Sequence, residues 1–227
     1  MKRNIVVAIT GASGATYAMR LLEVLLASGC DVDLTISPAG QSILKQELDL
    51  TVDLANVTPV MLMLDAGAIL RDQKLQLLRS VAGISSDSSN VLGMGTGEPG
   101  SLRYHHYANH LAPIASGSFE TGGMVVCPCS MSTLGAIANG TGANLIHRAA
   151  DVHLKERRKL VLVPRETPLS LVGIENMRRA AEAGAVILPA MPGFYHGVKL
   201  ISDLVDFVVS RICDQLGIAN SLIQRWE

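Results

Sequence analysis

In the stretch Lys159-Leu-Val-Leu-Val-Pro-Arg165-Glu166-Thr-Pro168 an apolar run ends on an arginine and a glutamate, where the chain turns into a loop. If the run is a strand of an open parallel sheet, this is where a ligand is met, because such sheets bind outside the carboxyl ends of their strands. Arginine there suits a phosphate, through its planar fork of donors. Glutamate there can accept or deliver a proton where partial burial prepares it. Just upstream, Arg148-Ala-Ala-Asp-Val-His-Leu-Lys155-Glu-Arg-Arg158 gathers a second group of cations. The plainer reading of both is a solvated charged helix followed by an ordinary loop.

A third feature weighs against that plainer reading. Thr10-Gly-Ala-Ser-Gly14 lies between a run that reads as a buried strand, Asn4–Thr10, and one that reads as a helix, Ala15–Ser28. Its glycines permit a tight turn, and a helix start offers free N–H groups to an anion. Alone, Gly-x-x-Gly is not diagnostic, being neither G-x-G-x-x-G nor a Walker A loop. The next strand, Asp31–Ser37, ends on Ser37, where a dinucleotide binder would place an acid for the ribose. The turn therefore points to a mononucleotide such as FMN rather than to NAD. Ala115-Ser-Gly-Ser118 and Pro128-Cys-Ser-Met-Ser-Thr133 are further hydroxyl-rich turns. Ser130 or Ser132 would serve equally as an N-cap or as part of a polar ligand wall.

The elements needed to position these residues are legible through most of the chain. Helices are expected over Pro38–Leu48, Ser132–Asn139, Leu145–Arg157, Ser170–Ala183 and Leu200–Leu216, and strands over Gly123–Pro128, Lys159–Pro164 and Ala185–Pro189. Strands alternate with helices and read as Val/Ile/Leu runs, which predicts a doubly wound parallel α/β sheet in one domain, 1–227. Thr51–Leu111 is the least legible part, with helix-like spacing over Met61–Val81 and a Ser/Gly-rich loop over Ser85–Ser101.

Composition narrows the class. The 227 residues are 48% hydrophobic but only 4% aromatic, so the core must be built from Ala, Val, Leu and Ile. A net charge of −1 gives no basic field for nucleic acid. No run of about eighteen apolar residues is present to span a membrane, and the short N-terminal apolar run leads into a turn rather than a cleavage site. Cys30, Cys127, Cys129 and Cys213 have no zinc spacing and are expected as buried, reduced thiols in a cytoplasmic protein. The histidines, His105, His106, His110, His147, His153 and His196, form no HxxxH or HExxH pattern, so packing or surface roles are expected and no metal. Tyr195 follows a Pro-Gly turn and can offer a hydroxyl.

Together these segments resemble the flavin prenyltransferases of the UbiX/Pad family. The resemblance rests on Thr10-Gly-Ala-Ser-Gly14, Ser116-Gly-Ser118, Met124-Val-Val-Cys-Pro-Cys-Ser130 with Thr133, Arg148-Ala-Ala-Asp-Val, Leu154-Lys-Glu-Arg-Arg158, Leu160 to Leu169, Gly184-Ala-Val-Ile, Gly193-Phe-Tyr-His196 and Arg225-Trp226. It covers nearly all of the chain except Thr51–Leu111. Two departures stand out: Pro38 replaces a lysine that commonly follows the second-strand serine, and the middle segment is longer than usual.

The resemblance implies a flavoprotein-like, Rossmann-like three-layer fold and a metal-independent, cytoplasmic transferase. Such an enzyme joins a dimethylallyl group from dimethylallyl phosphate to N5 and then C6 of reduced FMN, and the prenylated FMN serves UbiD-type decarboxylases. By motif, Gly11, Ala12, Ser13, Ser37, Ser130, Met131, Ser132, Thr133 and Arg148 would hold FMN. Lys155, Arg165, Glu166, Tyr195 and Arg211 would surround the prenyl phosphate, with Glu47 and Trp226 as further pocket residues. Ser13, Lys155, Arg165 and Glu166 are the expected catalytic set. The family also implies a homo-oligomer, typically a dodecamer, with sites at subunit contacts. The chemistry agrees: Lys155, Arg165 and Arg211 can stabilise a departing phosphate, and Glu166 or that phosphate can take the ring proton. A flavin-dependent cysteine decarboxylase of the same fold would explain a flavin site but not the Lys155, Arg165 and Glu166 group. A non-catalytic flavin carrier would have lost those charges.

Overall fold

The computed structural model describes residues 3–64, 100–195 and 197–224. Its centre is a six-stranded, all-parallel sheet in the order β3-β2-β1-β4-β5-β6. The strands are β1 (Asn4–Ile9), β2 (Asp31–Ile36), β3 (Leu102–Tyr104), β4 (Gly123–Cys129), β5 (Leu160–Pro164) and β6 (Val186–Ile187). The helices are α1 (Ala15–Ala27), α2 (Pro38–Leu48), α3 (Met131–Ala138), α4 (Leu145–Lys155), α5 (Leu171–Glu182) and α6 (Ile201–Leu216).

Strand alternation sorts the core into two layers. Ile5, Val7 and Ile9 of β1, with Val161 and Val163 of β5, face a cluster that includes α1 and α6. Val6 and Ala8, with Leu160 and Leu162, face Leu134 of α3, Ala149 of α4 and Ala180 of α5. Both faces are covered, which is why β4, β5 and β1 beyond Asn4 are runs of apolar residues, whereas β2 alternates Asp31, Asp33 and Thr35 with Val32, Leu34 and Ile36. Small side chains on α4 and α5 let helix and sheet approach closely, as the scarcity of aromatics requires.

Helix starts follow local chemistry. Ser37, Ser130, Asn144 and Ser170 each accept a backbone N–H three residues on, from Gly40, Thr133, His147 and Gly173. At α6, Asp203 accepts from the N–H groups of Lys199 and Leu200. Only α1, among the described residues, starts without a cap from its own segment. Between α1 and α6 the buried Arg20 bridges Asp206 at 2.6 Å and Glu23 at 2.8 Å. His153 is buried between Thr121 Oγ1 and the Ala149 carbonyl, a packing role, and all four cysteines are buried and free.

Two edges differ from the sequence expectation. β6 spans Val186–Ile187 rather than running to Pro189, although the N–H groups of Leu188 and Ala190 still donate to the Leu162 and Pro164 carbonyls of β5, at 2.8 and 3.0 Å. β3 lies inside the stretch that carried no strand signal, and a cluster around the buried Asp33 fixes it. Arg103 donates to both oxygens of Asp33, at 3.0 and 3.1 Å, and His105 lies 2.7 Å from one of them. Leu102, Arg103 and Tyr104 pair with Val32, Asp33 and Leu34 of β2. Of the helix-like spacing over Met61–Val81, Pro59–Leu62 forms a short 3₁₀ turn and residues 65–81 lie outside the described residues, as do residues 85–99 of the expected loop.

Burial alone would raise the Asp33 carboxyl, but hydrogen bonds from His105, Arg103 and Asn4 outweigh it and hold it at about 2. A carboxyl depressed in the fold adds stability that is complete above its unfolded pKa, about 4, and is lost as pH falls through the folded value. Asp33→Asn should therefore lower the unfolding free energy from urea titration at neutral pH, by about 1.5–3 kcal/mol for hydrogen bonds to a charged group. The gap from wild type should close between about pH 4 and pH 2. An unchanged gap across that window would show that Asp33 is not the titrating tether.

Candidate active site

The chain leaves β1 towards β2 on one side, while β4 pairs on the other, so a crevice opens at the carboxyl ends of β1 and β4. Thr10 ties the two ends together. Its hydroxyl donates to the Pro128 carbonyl at 2.7 Å and accepts from the Ser130 N–H at 2.8 Å. Ser130 caps α3 and donates to Thr133 Oγ1 at 3.0 Å, so the capping role open to it from sequence is realised. Burial pushes the Cys129 thiol up to about 12 and raises that of Cys127 as well, so neither thiol is prepared as a nucleophile.

The turn Gly11–Gly14 packs under α2: a Cβ on Gly11 would stand 2.4 Å from that of Ala39. Gly14 has φ +118, a conformation that side chains rarely adopt. The α1 cap then comes from α2. Glu47 accepts from the Gly14 N–H, at 3.0 and 3.2 Å, and from the Ala15 N–H at 2.8 Å. The N–H groups of Gly14 and Ala15 at the α1 start are thus met by the chain's own carboxylate. Among the described residues, no group accepts from the N–H groups of Gly11, Ala12 and Ser13. These remain for a ligand.

A cavity of about 340 Å³ stands over this turn, lined by Gly11, Ala12, Ser13, Ile43, Gln46, Glu47, Ser130, Met131, Arg165 and Glu166. Arg165 Nε lies 3.4 Å from the Ser13 carbonyl, fastening the end of β5 to the first turn. Burial raises the Tyr17 hydroxyl, Cys127 adds to this, and the nearby Arg165 opposes both. Glu166 is exposed, so the chain's own residues do not supply the partial burial expected of it. Behind Arg165 and Glu166 a smaller, apolar-walled pocket includes Leu169, Met177 and Met191. Ile43 and Gln46 carried no chemical signal in the sequence. Their spacing to Glu47 on one helix was the only available sign.

The other expected residues lie in separate places. Ser37 caps α2 next to the turn, and Ser132 and Thr133 form the first turn of α3, exposed and buried respectively. Arg148 and Lys155 project from α4 and do not line the cavity. Arg148 bonds Asp151 and the Ala115 carbonyl, Lys155 bonds Glu156 at 2.6 Å, and Arg158 grips the carbonyls of Gly117 and Phe119. In the single chain this second cation group is thus a set of surface pairs holding the Ser116–Ser118 turn. Tyr195 meets Phe207 of α6 edge to face, with Arg211 one turn further on, exposed and paired with Asp214. Trp226 and His196 lie outside the described residues. No group of three or more His, Cys, Asp or Glu among the described residues could hold a metal, and no helix there is long and apolar enough to cross a membrane.

A crevice at the switch point, with free turn amides, hydroxyls and an arginine beside carboxylates, defines an α/β protein built to hold a phosphate-bearing ligand. Residues 1–213 match the model of the flavoprotein family. The chain belongs to that family and, within it, to the UbiX flavin prenyltransferases, being 42% identical to flavin prenyltransferase UbiX of Pseudomonas aeruginosa over 98% of this chain and 93% of that protein. A crystal structure of AnUbiX in complex with FMN and dimethylallyl pyrophosphate superposes with a TM-score of 0.75 at 34% identity, covering 100% of this chain and 98% of that one. A dodecameric FMN-dependent UbiX-like decarboxylase from Escherichia coli does so with a TM-score of 0.71 at 34% identity, covering 99% and 98%.

Thr10→Val should keep the shape of the β1 end, and the Thr10 N–H bond to the Pro128 carbonyl at 3.3 Å, while orphaning the Ser130 N–H. The cost should be about 1–3 kcal/mol of stability, the penalty for an unpaired buried group. FMN affinity, followed by flavin fluorescence, should fall alongside it. Full affinity in a destabilised variant would mean that Thr10 holds the sheet and not the site.

Proposed function

We propose that the chain joins the dimethylallyl group of dimethylallyl phosphate to N5 and C6 of reduced FMN, without a metal, supplying prenylated FMN to a UbiD-type decarboxylase. The observation that carries this is the cavity in which Arg165 and Glu166 meet the Gly11–Ser13 turn. A flavin carrier would need neither charge, and a cysteine decarboxylase leaves Arg165 unexplained.

In this reading Gly11, Ala12, Ser13, Ser37, Ser130, Met131, Ser132, Thr133 and Arg148 hold FMN. Amides of the first turn and hydroxyls of Ser37, Ser130 and Ser132 suit its phosphate and polar edges. Arg165, with Lys155 and Arg211, takes the donor phosphate, stabilising the charge that grows as the allylic C–O bond breaks. Tyr195 and Glu47 bound the same pocket, and Trp226 offers an indole face to the allyl cation. Glu166, or the released phosphate, accepts the proton lost from flavin C6. The separation of Arg148, Lys155, Tyr195 and Arg211 from the cavity supports assembly into a homo-oligomer, a dodecamer in this reading, in which neighbouring copies complete each site. The work is cytoplasmic, where reduced flavin is made.

Incubation with reduced FMN and dimethylallyl phosphate, followed by mass spectrometry of the extracted flavin, tests the reading. A five-carbon gain is expected, and unchanged flavin would overturn it. Arg165→Ala should weaken donor use about ten- to a hundredfold, as for loss of one charge-assisted contact, with FMN binding largely kept. Loss of FMN with intact turnover of what binds would reverse that assignment. Glu166→Gln should bind both ligands yet slow formation of the cyclised product by about 10²–10⁴ in single-turnover experiments. A normal rate of ring closure would pass the proton to the released phosphate.

A further inference from the structure

Beyond β6 the chain turns through Pro192-Gly193 and presents Tyr195, which is 60% exposed. A side chain so exposed passes between rotamers unless a neighbour holds it. Phe207 of α6 meets it edge to face, with ring centroids 5.6 Å apart and planes at 89°. In that geometry the positive edge of one ring faces the negative face of the other. Gly193 closes the contact from the turn: a Cβ there would stand 2.8 Å from Tyr195 Cε1 and 3.0 Å from Phe207 Cζ, so a larger residue would push both rings aside. Phe207 in turn packs against the core layer that includes α1. The residue before it, Asp206, is held by the buried Arg20 at 2.6 Å, which ties this turn of α6 to α1. Arg211 follows four residues later, on the same face of the helix.

We propose that Phe207 is a positioning residue for the transfer: its edge-to-face contact holds Tyr195 in the orientation in which the tyrosine hydroxyl meets the donor phosphate. The inference rests on the transferase reading above, which gives Tyr195 and Arg211 to that phosphate, and it adds the element that pre-sets them. Phe207 has no polar atom to offer a ligand. It acts by removing, before binding, rotamer freedom that Tyr195 would otherwise lose on binding. One face of one anchored helix supplies both the brace and the cation, so hydroxyl and guanidinium are presented as a unit. A role confined to the core would impair stability and every ligand alike. A brace for Tyr195 matters only while Tyr195 keeps its hydroxyl.

The test compares kcat and KM for dimethylallyl phosphate, with reduced FMN, in wild type, Phe207→Leu, Tyr195→Phe and the double variant. Phe207→Leu should raise KM roughly two- to tenfold, the range that one aromatic pair or one immobilised side chain is worth, with FMN affinity unchanged. Tyr195→Phe keeps the ring and loses the hydroxyl, and should raise KM at least as far. Adding Phe207→Leu to it should cost nothing more, because both changes remove the same contribution. An unchanged KM in folded Phe207→Leu, or effects that multiply in the double variant, would overturn the proposal. If Phe207→Leu does not fold, Gly193→Ala, which crowds the same two rings, takes its place in the cycle under the same two criteria. Failure of the wild type to prenylate flavin would instead refute the transferase reading itself. The brace would then be judged from a crystal structure of Phe207→Leu, in which Tyr195 should leave its wild-type orientation; an unmoved Tyr195 would overturn the proposal.

Discussion

The position of β1 constrains everything else. It pairs on both sides, with β2 and with β4, and its residues alternate between two separate hydrophobic layers. From Ile5 to Ile9 it carries no polar side chain, so the next polar groups, Thr10 and the turn beyond it, emerge together at the carboxyl edge. The chain then departs to opposite sides from β1 and β4, and the crevice between them is left open by connectivity rather than by any special side chain. Thr10, at the end of β1, ties it to the end of β4 through its hydroxyl, which donates to the Pro128 carbonyl and accepts from the Ser130 N–H.

From this junction the charges fall into an inner and an outer set. Arg165, Glu166 and Glu47 are delivered to the crevice by the ends of β5 and α2, elements pinned by the sheet and by the caps at their starts. Arg148, Lys155 and Arg211 sit on exposed helix faces, where each is paired with a carboxylate of its own helix or of the residue beside it. Exposed pairs of this kind contribute little to stability. They are easily exchanged for a phosphate, which binds guanidinium and ammonium groups in place of a carboxylate. The pairs anchored on a buried group are different: buried Asp33 with Arg103, and buried Arg20 with Asp206, join elements far apart in sequence and fix an edge strand and the last helix.

Much of this was legible from the residues alone. The order of strands and helices, the two glycine- and serine-rich turns and the Arg165–Glu166 end of β5 follow from local patterns: apolar runs, capping residues and strand ends that must become loops. Helix boundaries such as Pro38–Leu48 are set by a serine cap and a proline in the first turn, chemistry within four residues. The polar surroundings of β3 gave no strand signal, because what makes Leu102–Tyr104 a strand is Asp33, some seventy residues earlier.

Identity and order of the chemical groups were therefore in the sequence, as was the resemblance that names their reaction. Their relations were decided only in three dimensions. No local pattern tells that Glu47 caps a helix that begins thirty-two residues before it. Nor does any pattern separate Arg165, which faces the crevice, from Lys155, which lies on another face. The reason is physical: propensity and periodicity act over a few residues, whereas a vacant helix end is filled by whatever oxygen the packing of the whole sheet brings within 3 Å.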